Sequence, residues 1–159
     1  MSAVRVREAG PADAEAIAAF SHALSREEGY AAPVLQARDV RAEGFGPNPR
    51  FSALIAELSG RPVGYALFYP AYDTDHAARG LYLQDLYVVP DARRQGAGRA
   101  LMAAVARACQ ADGGRYVFWN AQPANRAGLA FYRAIGAREE PVLTLSLQPD
   151  ALRQLAEET

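Results

Sequence analysis

The chain has 159 residues, half of them hydrophobic, which is enough to bury one core without disulfide or metal staples. Seventeen basic and 18 acidic residues leave a net charge of −1, so no global field recruits nucleic acid or an anionic membrane surface. Every basic residue is Arg, which excludes a lysine Schiff base and the phosphate-binding Lys of a Walker loop. No apolar run approaches the ~20 residues of a membrane span and no apolar signal core opens the chain, so the expectation is a cytoplasmic protein. The single cysteine, Cys109, sits among helix formers and reads as a packed core thiol rather than a nucleophile.

In chain order, Val4 to Arg7 alternates as a first strand. Pro11 then precedes an amphipathic helix from Ala14 to Leu24, with Ile17, Phe20 and Leu24 on one face. Two acids, Glu27 and Glu28, follow its end. Leu35 to Ala42 predicts a short helix and the Gly44–Pro49 stretch a loop. Phe51–Leu58 and Val63–Tyr69 predict an antiparallel hairpin about Ser59-Gly60. The polar stretch Pro70–Gly80 reads as a loop; its Asp73, Asp75 and His76 lack the second ligand pair of a metal site.

Gly80–Val89 is rich in Leu, Tyr and Val and stops at Pro90, so it predicts the central strand. After it comes Arg93-Arg94-Gln95-Gly96-Ala97-Gly98-Arg99, which opens a helix running to Gln110 and stopped by Gly113. The first N–H groups of a helix have no partner inside it and carry the positive end of its dipole, so three Arg around this turn point to a phosphate. A dinucleotide fingerprint is excluded, because Leu101 replaces its third glycine and no acid ends the next strand. That strand is Arg115–Trp119. Arg126–Ile135 predicts a helix closed by Gly136, Pro141–Leu147 an alternating strand, and Asp150–Glu158 a last short helix.

The hexapeptide Arg93 to Gly98 resembles the coenzyme A pyrophosphate loop of the GNAT N-acetyltransferase superfamily. Asn125, Phe131-Tyr132 and Gly136, after the fifth strand, resemble its second signature. Over nearly the whole chain, Glu43-Gly44-Phe45-Gly46, Tyr72-Asp73, Leu81-Tyr82-Leu83-Gln84-Asp85 and Leu143 to Glu158 look like the diamine (spermidine/spermine) and thialysine acetyltransferase branch. The resemblance implies an α/β fold in a single domain over residues 1–159. Its sheet would be mixed and mostly antiparallel, with about seven strands and helices on both faces.

It also implies acetyl-CoA as the cofactor and a small-molecule amine as the acceptor, attacked directly with both substrates bound. Arg93, Arg94, Gln95, Gly96, Ala97, Gly98 and Arg99 would cradle the phosphates. Leu86, Tyr87 and Val88 would pair with the pantetheine at a bulge and offer an N–H to the thioester carbonyl, and Asn125, Ala127 and Gly128 would form the second cofactor segment. Tyr132 would lie beside the sulfur and return a proton to it. The branch carries Glu at the catalytic position of Gln84, and Gln is no base at any working pH. Asp85 is then the residue to orient or attract an ammonium, with Glu27, Glu28, Asp73 and Gln84 as further substrate contacts. A homodimer, with Leu143–Leu147 near the partner, is implied as well. Open alternatives are acetylation of a protein or an aminoglycoside, a non-catalytic acyl-CoA sensor that has lost its base at Gln84, and a nucleotide-binding module.

Overall fold

The computed structural model describes residues 3–30 and 34–158. The chain divides into two compact units, residues 1–126 and 127–159. The first unit holds a five-stranded sheet in the order β1-β2-β3-β4-β5. Its strands are β1 (Arg5–Glu8), β2 (Ser52–Leu58), β3 (Arg61–Asp73), β4 (Ala78–Val88) and β5 (Tyr116–Phe118). The first four pair antiparallel and β5 joins β4 in parallel, which is the mixed, mostly antiparallel sheet expected.

The helices are α1 (Ala14–Glu27), α2 (Ala37–Phe45) and α3 (Ala97–Ala111). On one face of the sheet, Ile17 and Phe20 of α1 and Val40 of α2 pack with Ile55, Tyr65, Leu67 and Tyr87 in one buried cluster. Successive strand side chains point to opposite faces, so Leu54, Ala66 and Phe68 turn to the side where α3 brings Leu101 and Val105, both fully buried. Each such apolar side chain removed from water contributes roughly 1.5–3 kcal/mol. Cys109 is buried on α3 and its thiol donates to the Tyr116 carbonyl at 3.2 Å, a packed thiol as its setting predicted.

Arg7 ties β1 to the entry of α1. Its guanidinium donates to both carboxylate oxygens of Asp13 at 2.7 and 2.8 Å and to Glu57 at 2.7 Å, while the Gly10 amide donates to Asp13 at 2.8 Å.

Three local expectations change. The stretch read as a loop from Pro70 is strand as far as Asp73, and β4 begins at Ala78, because Tyr72 pairs with Arg79 and Asp73 with Ala78 across a four-residue turn. The helix α2 runs on to Phe45, so Gly44 is helical. Residues 141–147 form no strand, which leaves five strands among the described residues against about seven expected. Leu143 and Leu145 stand 88% and 87% exposed there. An alternating pattern becomes a strand only where a neighbouring edge supplies hydrogen bonds, and no ladder pairs with it among the described residues.

The second unit carries most of α4 (Arg126–Ala134), together with α5 (Pro149–Ala156). Gly136, at φ +93°, follows α4 as the glycine stop predicted for it.

Candidate active site

The site begins with an irregularity in β4. Leu67 faces Asp85 across the ladder and the next residue, Phe68, faces Leu83, so Gln84 is an extra residue, a β-bulge. On a regular strand Leu83 and Asp85 would share a face. The bulge separates them: Leu83 stays buried on the side of Phe68, while Asp85 turns toward Tyr65 and α1. Gln84 itself is exposed, its side-chain oxygen accepting from the Tyr69 hydroxyl at a long 3.4 Å.

Beyond the bulge the sheet opens. β5 pairs with β4 only from Gly80 to Tyr82, so on that side residues 83–88 have no strand neighbour among the described residues. Because the Val89 amide donates to the Val63 carbonyl, the alternation of an antiparallel ladder points the N–H and C=O of Leu86, and the N–H of Val88, toward the open side.

β4 leads into a turn of 3-10 helix at Pro90–Ala92 and then the loop before α3. Arg94 at φ +62° and Gly96 at φ +90° place left-handed residues in this turn, the kind of backbone that forms concave N–H nests for anions. The Arg93 amide donates to Pro90 and the Ala100 amide to Gly96. Between them, the N–H groups of residues 94–99 donate to no backbone carbonyl among the described residues. Six adjacent donors without a backbone acceptor, at the positive end of a 15-residue helix, fit a pyrophosphate in number and charge. Arg94 and Arg99 are exposed beside them. Arg93 is turned away from the loop's outer side: its guanidinium binds Glu27 at 2.6 and 2.8 Å, donates to the Val88 carbonyl at 2.8 Å, and lies 5.5 Å above the Tyr87 ring.

Asp85 is mostly buried, and the Tyr65 hydroxyl donates to its Oδ2 at 2.6 Å. Burial pushes its carboxyl above the ordinary range and the Tyr65 hydrogen bond pulls it partly back. Glu28, just past α1, is raised too, by burial first and then by the charges of Asp85 and Glu27. The loop after β5 reaches back here, Gln122 donating to the Glu28 carbonyl at 3.3 Å. Among the described residues no Arg forms an ion pair with Asp85 or Glu28. Asp85 and Glu28 are thus two neighbouring acids that no Arg neutralises among the described residues.

The fold therefore gathers Asp85, Glu28, Leu86, Tyr87, Val88 and the 93–99 loop along one strand and its exit. Asp73 lies elsewhere. It is six residues up β3 from Leu67, roughly 20 Å along the strand. There it accepts from His76 at 2.7 Å and from the Asp75 and His76 amides, so its carboxylate closes the hairpin turn. Asn125 precedes α4, its amide bonded to the Gln122 carbonyl. Ala127, Gly128 and Tyr132 belong to the second unit, where the Tyr132 ring tilts against Phe131 at 5.4 Å. The residue that sequence reasoning missed is Tyr65. Its alternation with Val63 and Leu67 marks it as inward-facing, and nothing in the spacing says that its hydroxyl meets a carboxylate 20 residues on.

An anion cradle at a helix start, an open strand edge leading from it and a buried carboxylate beside that edge describe an enzyme for acyl transfer from a phosphate-bearing carrier. Residues 17–137 match the acetyltransferase (GNAT) family, and the chain belongs to that family. It is an acetyl-CoA-dependent N-acetyltransferase. Thialysine N-epsilon-acetyltransferase of Mus musculus is 31% identical over 98% of this chain and 99% of its own. Among solved structures, an integron cassette protein from the V. cholerae mobile metagenome superposes with a TM-score of 0.81, at 20% identity over 99% of both chains. An aminoglycoside N-acetyltransferase in complex with CoA gives 0.76, at 19% identity over 94% of this chain and 97% of that one. Among the described residues no helix is long and apolar enough to cross a membrane.

Proposed function

We propose that the chain, acting as one domain over residues 1–159, acetylates the primary amine of a small molecule, amino-acid-like or diamine, by direct attack with both substrates bound. The observation that carries this reading is the run of N–H groups at 94–99 without a backbone acceptor, at the exit of the open edge of β4 that holds Asp85. When bound, acetyl-CoA supplies the activated acetyl thioester. The residues fit it: the loop donors take the diphosphate, and the outward N–H of Leu86 or Val88 is available to the thioester carbonyl, where a fixed donor is worth ~3–4 kcal/mol as charge develops.

An amine of pKa near ~10 arrives protonated, so the chain must first hold a cation and then remove its proton. Four acids were candidates for holding it. Glu27 is neutralised by Arg93 and Asp73 is engaged by His76 and its own turn, which leaves Asp85 and Glu28. Two adjacent carboxylates match one ammonium rather than the several spaced charges of spermine. This agrees with a relative whose name specifies a single side-chain amine, thialysine. Tyr132 is assigned to return a proton to the departing sulfur, and the protein to work as a homodimer. The test is steady-state thiol release with a panel of thialysine, lysine, ornithine, short diamines and spermine, alongside calorimetry with acetyl-CoA. Turnover on an amine of the first four kinds is expected. Tight acetyl-CoA binding with no turnover on any of them would overturn the small-amine class and point to a protein or aminoglycoside acceptor, and a clear preference for spermine would overturn the single-ammonium reading.

A further inference from the structure

We propose that Tyr65 is a positioning residue that holds the Asp85 carboxylate so that its free oxygen accepts the proton of the incoming amine. This rests on the amine acetyltransferase reading above. Tyr65 is fully buried on β3, opposite Tyr87 and stacked on Phe20 at 5.9 Å with 24° between the rings. For packing alone, Phe would serve in these surroundings. The hydroxyl is the unexplained atom. It donates to Asp85 Oδ2 at 2.6 Å, and its other polar neighbour is the Ser21 hydroxyl on α1. A hydroxyl placed here without a partner would cost desolvation energy, so the pair is held together from both sides.

The bulge at Gln84 directs Asp85 to this partner. With Oδ2 occupied by Tyr65, Oδ1 accepts no hydrogen bond among the described residues and is the oxygen left for a substrate. One further charged group bears on this pair, Glu28 just past α1; Glu27 acts on Glu28 in turn and is paired with Arg93. The Tyr65 phenol is itself pushed above its ordinary value, by burial first and then by the Asp85 charge, so it stays a donor at every working pH. In the proton step the ammonium nitrogen gives one proton to Oδ1. An ammonium and a carboxylate become a neutral amine and a carboxylic acid, and that acid later returns the proton to water. Burial raises the carboxyl toward the amine, and the Tyr65 bond keeps it ionised enough to begin as the acceptor.

Tyr65→Phe tests this, since it keeps the ring and removes only the donor. Loss of a hydrogen bond to a charged group raises the Asp85 midpoint by about one pH unit, and the acid limb of kcat/KM moves to higher pH by the same amount. At neutral pH kcat is expected to fall about tenfold, while acetyl-CoA affinity by calorimetry stays within about twofold. The Asp85 midpoint is read independently by carbon-13 carboxyl NMR titration of both proteins. Parallel shifts of the NMR midpoint and the kinetic limb support the inference. An unmoved midpoint and limb in a folded variant overturn it, as does lowered activity with a lowered Tm and no shift, which is the signature of packing alone. Failure of wild-type protein to acetylate any amine sinks the functional reading instead, and leaves the NMR shift to report the pair's geometry by itself.

Discussion

Gly64→Ala is a one-carbon change that reaches the site through the backbone. An alanine Cβ at this position would stand 2.4 Å from the Tyr87 carbonyl oxygen and 3.1 Å from both Cα and Cγ2 of Val88. The nearest neighbour is main chain, so no side chain can swing aside. Bringing 2.4 Å out to ordinary van der Waals contact needs β3 and β4 to part by about 1 Å at the Gly64–Val88 pair. Overpacking of this kind costs about 1–3 kcal/mol, which for a chain of this size lowers Tm by roughly 3–9 °C. The displaced segment is also the edge that we assign to the thioester. A misplacement of about 1 Å at reacting groups lowers rates by up to roughly a hundredfold, so kcat/KM should fall further than stability alone explains. Thermal melts followed by circular dichroism, with steady-state kinetics well below the melting range, measure both. A variant with Tm within about 1 °C of wild type and undiminished kcat/KM would show that the close approach at Gly64 does not position Tyr87 and Val88.

The remaining predictions concern charge. Arg7→Met leaves Asp13 and Glu57 facing each other without their cation, and should cost about 3 kcal/mol at pH 7 by urea unfolding, at the low end for a buried pair because Arg7 is 31% exposed. Arg7 holds the Asp13 carboxyl below its ordinary range, so this stability is present above the unfolded value near ~4 and is lost as pH falls through the lower folded value; the gap to Arg7→Met should narrow in acid. Asp85→Asn should act in the opposite sense. The Asp85 carboxyl is raised on folding, so its contribution is fully present below the unfolded value and is lost as pH rises through the folded one. The amide therefore raises Tm at pH 7 and not at pH 4, while kcat falls by about 10² or more. Arg94→Gly removes a side chain from left-handed backbone at φ +62° and keeps every loop donor. Its Tm should not fall, and its affinity for acetyl-CoA should drop by less than about tenfold, the loss shrinking in high salt.

Periodicity and turn chemistry made the element types legible from β1 to α5, because amphipathic faces and Gly or Pro stops are local properties. The Arg-Gly loop was legible for the same reason: a helix start with glycines exposes its own donors, whatever the rest of the chain does. Less legible were elements that need a neighbour. β3 runs four residues past Tyr69 because β4 pairs with it, and the alternating stretch at 141–147 forms no strand where no ladder is offered.

Within the site, sequence alone named Asp85, Glu28 and the loop, and its departure at Gln84 told that the expected base is absent. It could not tell which acids are free. Arg93 reaches 66 residues back to neutralise Glu27, and His76 holds Asp73, both through contacts that exist only once strands and helices are side by side. The extra residue at Gln84 is likewise decided by the ladder, because a bulge is a mismatch between two strands and belongs to neither sequence by itself. That mismatch turns Asp85 toward the Tyr65 hydroxyl. The chain's order of residues supplied the chemical groups, and the register between β3 and β4 determined which of them meet.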